Sequence, residues 1–247
     1  MAEYIMDTPL LNRLRKLSTD IIEIFDKHME RFDNEKHIHE FEGWTDLFWQ
    51  SGPVRKAHLK IIEPIEGKPK LWLMHINIFP GTSFHYPILG LDVVAGPNKI
   101  SGSFFDFSPV SDETHPIITT FGLATRDLEW KTERELPEWA KEIFSPHMVA
   151  AGNVREGEET EQFCDTAIRL IHYYLEQIEH QQFWLGEDRM ESHNRYCINQ
   201  KKNQQLWNSL KAMKLGEEEI KQYVEDVLFE EVKLYPVDQG TFYNPNP

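Results

Sequence analysis

The chain is poor in cysteine and in positive charge, and several common chemical signatures are missing from its 247 residues. Cys164 and Cys197 are its only cysteines. Without a CxxC pair there is no thiol set for a structural zinc or an iron–sulfur cluster, and no disulfide framework; a reducing compartment is the natural inference. Lysine and arginine number 26 against 41 aspartates and glutamates, and the net charge of −15 argues against nonspecific nucleic-acid binding, which needs a dominant positive field. No apolar run is long enough to span a membrane. The opening residues MAEYIMD match neither a signal nor a transit peptide, so the expectation is a cytoplasmic protein with no membrane association. No GxGxxG follows a strand, no P-loop is present, and there is no G-x-S-x-G elbow, which leaves dinucleotide, phosphate-loop and serine-hydrolase readings unsupported.

What is present is the material of a folded domain. Apolar residues make up 40% of the chain and aromatics 12%, enough for a sizeable core. Thr8-Pro9 reads as an N-cap followed by proline at the first helical position, and Leu10, Leu14, Leu17, Ile21, Ile24, Phe25 and Met29 recur at helical spacing behind it. The segment to Gln50, with His37, His39, Trp44, Phe48 and Trp49, is expected as loop with an edge strand. Val54–Ile62 alternates as a strand, with Lys56, His58, Lys60 and Ile62 on one face. Ile117–Leu123 is expected as a further strand, Leu136–Trp139 opens a short helix, and Ala150–Gly157 reads as a loop. Helices are expected over Glu158–Glu179, over the amide-rich stretch Glu187–Met213 and over Glu217–Val232, with Tyr235–Pro247 a loosely held tail. A helix, then antiparallel strands, then helices predicts one α+β domain over residues 1–247. Its form is a three-layer α/β/α sandwich with a central antiparallel sheet flanked by helices.

The stretch Leu71–Val110 organises this pattern. It reads as strands Leu71–Phe79, Pro87–Ala95 and Lys99–Phe107, jointed at Pro80-Gly81 and at Gly96-Pro97-Asn98. Its mid-strand chemistry is unusual: His75, Asn77 and Asp92 stand where apolar residues would be cheaper. In a meander, His58 and His75 can be cross-strand neighbours, with Asp92 on the next strand. Two imidazoles and a carboxyl at that density form a proton-handling set, since imidazoles titrate near neutrality and burial moves carboxyls towards it. Each is equally readable alone as a core polar residue satisfied by a neighbour. The amide-rich helix could cover this face or simply face solvent. Metal ligation by His37 and His39 with His58, His75 and Asp92 matches no strong zinc spacing. Arg55, Lys56, Lys60, Lys68, Lys70 and Lys99 form a local basic cluster in sequence, as do Arg195, Lys201 and Lys202, against the bland reading of ordinary solvated edges.

At these residues the chain resembles a known family, the ferredoxin-dependent bilin reductases, and within it the phycocyanobilin-forming members. The matching pieces are RKAHL at Arg55–Leu59, MHI followed by FP around His75 and Phe79, PILGLDVVAGP at Pro87–Pro97 and DFSPV at Asp106–Val110. ELPEW before EIFS at Glu142–Ser145, YC with the amide-rich run over Tyr196–Asn203, and VLFEEV in the last helix follow in the right order. The resemblance implies an open-chain tetrapyrrole, biliverdin IXα, held between the sheet and the C-terminal helices. It also implies no bound metal or flavin, and single electrons from a 2Fe-2S ferredoxin passing through substrate radicals. Asp92 matches the aspartate that protonates the substrate, His75 the second proton donor and His58 its hydrogen-bonded partner, with Lys60 and Asn77 in the supporting network. Gln200 and Asn203 match positions facing the pigment.

Two departures qualify the match. Lys60 stands where the phycocyanobilin-forming enzymes have a glutamate that serves vinyl reduction. Gln204 stands near an aspartate that phycoerythrobilin-forming relatives use. The arginine that grips a propionate is displaced, leaving Arg155 or the strand lysines as substitutes. The expected activity is reduction at the 15,16 methine bridge, continuing to phycoerythrobilin. Phycocyanobilin, or a stop at 15,16-dihydrobiliverdin, is the alternative outcome. A non-catalytic tetrapyrrole-binding protein and a metal-dependent hydrolase are the readings from other classes. A monomer that docks acidic ferredoxin through a local basic face is the expected assembly.

Overall fold

The computed structural model describes residues 7–36, 41–67, 69–112, 114–128, 132–181 and 189–233. Helix α1 (Pro9–His28) begins as its sequence dictates: the Thr8 hydroxyl accepts from the Leu11 N–H at 3.2 Å, and Pro9 occupies the first turn. Its stripe Leu10, Leu14, Leu17, Ile21 and Phe25 is fully buried. After the two-residue β1 (Glu30–Arg31), strands β2 (Trp44–Gln50), β3 (Val54–Ile62), β4 (Trp72–Pro80), β5 (Ile88–Ala95) and β6 (Lys99–Ser108) pair in chain order. All these pairs are antiparallel. Alternation therefore located four strands to within one residue. Segment β2, expected as an edge, is covered by β1 only at Trp49 and Gln50, and its earlier residues pair with β3 alone.

The two faces of the sheet carry different chemistry. On one, Trp72, Met74, Ile76, Leu91 and Phe105 pack against α1, α2 (Pro116–Thr125) and α4 (Glu158–Glu179) in one continuous apolar core. Each such side chain is worth about 1.5–3 kcal/mol of burial, so this face supplies most of the stability. Two tyrosines lock α4 to the start of β5. The Tyr174 hydroxyl donates to Pro87 O at 2.6 Å, and that of Tyr86 donates to Tyr174 O at 3.1 Å. The other face is covered by α5 (Met190–Gln200), α6 (Gln204–Ala212), α7 (Glu217–Gln222) and a π-helix (Tyr223–Leu228), which share a smaller core with Phe48, Phe79 and Ile88. These are the three layers expected of the chain.

Four local expectations fail, each for a visible reason. Ile117–Leu123 is helical, lying within α2. Its β-branched residues suggested a strand, but His115-Pro116 is an N-terminal helix signal, with His115 Nδ1 accepting from the Ile117 N–H at 3.2 Å. Gly122 in α2 is a close-approach position, since a Cβ there would meet the His147 ring at 2.5 Å. The loop expected over Ala150–Gly157 contains β7 (Val149–Ala151) and β8 (Val154–Arg155), both paired to β6. The long amide-rich helix is two helices. Asn203 breaks it by capping α6, its side-chain oxygen accepting from the N–H groups of Gln205 and Leu206 at 3.1 and 3.3 Å. Glu217–Val232 stops being α-helical at Gln222 and closes as the π-helix. The tail expected over Tyr235–Pro247 lies outside the described residues, as do Glu187, His37 and His39.

Among the described residues no helix is long and apolar enough to cross a membrane. No group of three or more His, Cys, Asp and Glu side chains there is arranged to hold a metal ion.

Three histidines are held neutral inside this frame. Burial pulls His58 and His115 down to about 4, and burial with the charges of Arg55 and Arg189 pulls His193 down to about 3. In the unfolded chain each ring titrates near ~6.5, so below that pH the unfolded state binds more protons. Stability that is complete above pH ~6.5 is therefore lost as pH falls, and the loss levels off only below about 4. His115→Asn keeps an acceptor for the Ile117 N–H while removing one titrating ring. Urea unfolding at a series of pH values is expected to show a shallower acid slope in this variant, and an unchanged slope would remove His115 from the set.

Candidate active site

Strand register builds the site on the sheet face beneath α5 and α6. Across β2 to β6, Asp46 stands opposite Lys60, Lys60 opposite His75, His75 opposite Asp92 and Asp92 opposite Phe104. Two residues along each strand, a second row runs Phe48, His58, Asn77, Gly90, Asp106. Side chains two apart on a strand share a face, so nine side chains and one glycine make a polar floor.

The centre of the floor is joined by hydrogen bonds. His75 Nδ1 lies 2.5 Å from Asp92 Oδ1, and Asn77 Nδ2 lies 2.7 Å from His75 Nε2. The Tyr196 hydroxyl reaches Asn77 Oδ1 at 3.4 Å and accepts from Gln200 Nε2 at 2.9 Å. With the Asn77 amide donating to Nε2, the ring proton on Nδ1 is directed at Asp92. Gly90 makes the close approach of Tyr196 workable: a Cβ there would meet the tyrosine oxygen at 3.1 Å. A continuous connection thus runs from Asp92 on the floor to Gln200 on α5.

A second polar group lies beside the first. Asp46 Oδ1 lies 2.6 Å from His58 Nε2 and accepts from the Tyr223 hydroxyl at 2.5 Å, with the Asp46 side chain 1% exposed. His58 stacks flat on Phe48 with ring centroids 4.5 Å apart. The expected hydrogen bond between His58 and His75 is not formed; their rings meet edge to face at 6.2 Å. Register is the reason, since His58 faces Asn77, His75 faces Lys60, and the two imidazoles are only diagonal neighbours. Lys60 is buried, and its Nζ has no hydrogen-bond partner among the described residues. The ammonium sits over the rings of Trp44 and Tyr223 at 5.1 and 4.8 Å. Burial pulls it down to about 8, opposed by the charges of Asp46 and Asp92.

Over the floor lies a cavity of about 300 Å³. Asp92 and Phe104 form its base, Gln200, Asn203 and Gln204 the α5–α6 side, and Trp139 and Phe144 the opposite wall around α3 (Glu138–Lys141). The Asp92 carboxyl is 43% exposed, so it stands open to the cavity, whereas His75 behind it is 8% exposed. Asp106 secures the far wall. It accepts from the Ser145 N–H at 2.9 Å, the Ser145 hydroxyl and the Ser108 hydroxyl, and burial pushes it up to about 6 against those bonds.

The residues singled out in the sequence fare unequally. Asp92, His75, Asn77, His58 and Lys60 come together on the floor, and Gln200, Asn203 and Gln204 line the cavity. Arg155 does not join them: it is exposed on β8 opposite Lys99, outside the cavity lining. The guanidinium on the cavity wall belongs to Arg134, which crosses Gly152 where a Cβ would sit 2.7 Å from its Nε. The basic cluster expected around β3 is not a surface patch, because Lys56 and Lys60 are buried, while Lys68 lies outside the described residues. Asp46, Tyr223 and Arg134 were missed. Alternation of Asp46 and Phe48 against Thr45 and Leu47 was the signal that could have placed Asp46 on the floor; Arg134 had none.

Comparison with known proteins identifies the family. The family model described as ferredoxin-dependent bilin reductase matches residues 14–230. The phycocyanobilin:ferredoxin oxidoreductase of Prochlorococcus marinus strain SARG is 31% identical over 186 residues, covering 73% of each chain. The enzyme of the same name from Trichodesmium erythraeum is 28% identical over 187 residues, covering 74% of each. Among solved structures, tomato phytochromobilin synthase in complex with biliverdin matches with a TM-score of 0.70 at 16% identity, over 87% of this chain and 82% of that one. The structure of PcyX matches with a TM-score of 0.63 at 23% identity, over 89% and 99%. Those two likenesses speak to the fold, and the family match to the activity. The chain belongs to the ferredoxin-dependent bilin reductases, oxidoreductases that act on a bilin with ferredoxin as electron donor.

Proposed function

We propose that the chain reduces biliverdin IXα at the 15,16 methine bridge and carries the product on to phycoerythrobilin, taking electrons singly from a 2Fe-2S ferredoxin. The observation that carries this reading is the Asp92 carboxyl, open to the cavity and hydrogen-bonded to His75 behind it. Each double bond takes up two electrons and two protons. Ferredoxin supplies the electrons and the protein supplies the protons, so in this reading no cofactor resides in the chain. Protonation of the conjugated tetrapyrrole makes it easier to reduce, and Asp92 is the acid with open access to it. With a second proton on Nε2, which the Asn77 amide accepts by turning its oxygen to the ring, His75 then returns a proton to Asp92, while Tyr196 and Gln200 hold the amide. Gln200, Asn203 and Gln204 contact the pigment from above. Arg134 and Lys202 on the cavity wall are the cations suited to its propionates, in place of Arg155.

The product follows from Lys60. A buried ammonium between Asp46 and His75 cannot take the part of a glutamate in vinyl reduction, which supports phycoerythrobilin. Phycocyanobilin is the second reading, favoured by the name the Prochlorococcus and Trichodesmium relatives share. The protein acts as a monomer, and exposed Arg195 and Lys202 supply the local positive charge that steers an acidic ferredoxin.

Anaerobic incubation with biliverdin and reduced ferredoxin tests the reading. Stepwise absorbance change and a product that elutes as phycoerythrobilin are expected; binding without turnover would leave a tetrapyrrole carrier. Asp92→Asn is expected to bind biliverdin and to reduce it about 10²–10⁴ times more slowly. Wild-type turnover in that variant would take the proton step away from Asp92. Lys60→Glu is expected to divert part of the product to phycocyanobilin, and an unchanged product would end the role given to Lys60. The rate at limiting ferredoxin should fall as added salt shortens the screening length from about 30 to 8 Å. A salt-independent rate would speak against electrostatic steering.

A further inference from the structure

A second polar site lies at the opposite end of β3 from Lys60. The β3–β4 register breaks once, where Val54 pairs with Pro80 but Lys56 pairs with Phe79. A bulge of this kind re-aims the extra side chain. Arg55 and Lys56 consequently both stand over the Phe79 ring, at 4.5 and 5.4 Å. Lys56 is satisfied, donating to Val227 O at 2.9 Å. Arg55 is satisfied only in part: it hydrogen-bonds the Cys197 thiol, while its Nε and Nη2 are buried without a hydrogen-bond partner among the described residues.

Helix α5 closes the site from above. The Gly81 N–H donates to Pro53 O and the Arg189 N–H to Thr82 O, which brings the N-terminus of α5 to this corner. His193 and Cys197, one turn apart on the buried face of α5, both have no exposure. The Cys197 thiol lies against the Arg55 guanidinium. Neither ring nitrogen of His193 has a hydrogen-bond partner among the described residues, although Arg55 and Arg189 both lie near enough to act on it. The carboxylate that acts on Arg55 from further off, Glu230, is ion-paired to Lys36. Glu191 in the first turn of α5 is exposed.

A guanidinium whose Nε and Nη2 are buried with no carboxylate against them among the described residues is costly, and buried polar atoms left without partners mark the place of a water or an ion. The unpartnered atoms define the shape wanted. Nε and Nη2 are one edge of the guanidinium, two nearly parallel N–H bonds that match the two oxygens of a carboxylate. Neutral His193 adds one further N–H. The start of α5 contributes a field of the same sign. We propose that Arg55 and His193 form a buried site for a carboxylate group beneath α5, apart from the cavity over Asp92. Neither residue lines that cavity, and Arg55 is five residues from Lys60 along the strand, about 16 Å. An occupant there fastens to the sheet the helix that carries Tyr196 and Gln200.

The carboxylate has two sources, a free small acid or a side arm of the tetrapyrrole, and the test separates them. Thermal unfolding of the full chain without pigment is measured in formate against chloride at constant ionic strength, with ¹³C-formate line widths as a direct readout of binding. Saturable stabilisation by formate is expected, a Tm rise of roughly 5–10 °C at about 100 times the dissociation constant, with broadened formate signals. Arg55→Met should abolish both effects. If that variant does not fold, His193→Phe is expected to weaken formate broadening at least tenfold. Displacement of formate by biliverdin but not by its dimethyl ester assigns the site to the pigment's own arm; no displacement by either assigns it to a free acid. Unbroadened formate signals with wild-type protein, or equal broadening in Arg55→Met, would overturn the proposal. Both readouts are taken on resting protein, so they stand or fall separately from turnover.

Discussion

Everything on the functional face depends on the register of β3 against β4. That pairing puts Lys60 beside His75 and His58 beside Asn77, and the neighbouring strands add acidic groups to both rows: Asp46 and Asp92 on either side of that pair in one, Asp106 at the end of the other. A slip of one residue would send every polar side chain into the apolar core with Ile76 and Leu91 and bring the core residues out beneath α5. The apolar face therefore does more than hold the fold together. By fixing which residues point inward, it also fixes the order of the polar groups on the reverse side.

The polar floor tolerates burial because its polar groups are joined in pairs. His58 has Asp46, His75 has Asp92, and Lys60 lies between the two aspartates with aromatic rings above it. Only Asp92 among them is substantially open to the cavity. One acid faces the cavity and the rest are withheld from it, so the group that can meet an occupant is defined by access. The roof shares in this arrangement through Tyr196 and Gln200, which tie α5 to the same hydrogen-bonded line.

Strands β3 to β6 and the polar face of β4 were legible because alternation and turn residues are local signals, and so was α1, with its cap and its stripe. Asp92, His75 and His58 could be singled out on the same ground. What stayed hidden depended on contacts distant in sequence. Asp46 acquires its meaning from His58 and Tyr223, which lie 12 and 177 positions away. The division of the amide-rich stretch rested on whether the Asn203 side chain turned back to cap α6, and a run of good helix formers does not announce that. Arg134 reaches the cavity wall only because Gly152 leaves room for it. The β-branched residues of α2 pulled against the His115-Pro116 cap, and packing on Phe105 and Phe107 decided the matter.

The π-helix gives the last covering segment two fastenings on the sheet: the Tyr223 hydroxyl on Asp46 of β2 and the carbonyl of Val227 on Lys56 of β3. It also brings the Phe229 ring edge-on to His75 at 5.8 Å. A π turn holds one more residue than an α turn, so it behaves as a single-residue insertion absorbed within the helix. Removing one residue there would rewind the segment and rotate whatever follows by about 100°. Tyr223 could keep its aspartate while Phe229 swung away from the imidazole. In this protein the identity of the group that shields His75 is thus a matter of helical phase, open to change by a deletion that alters no residue of the site itself.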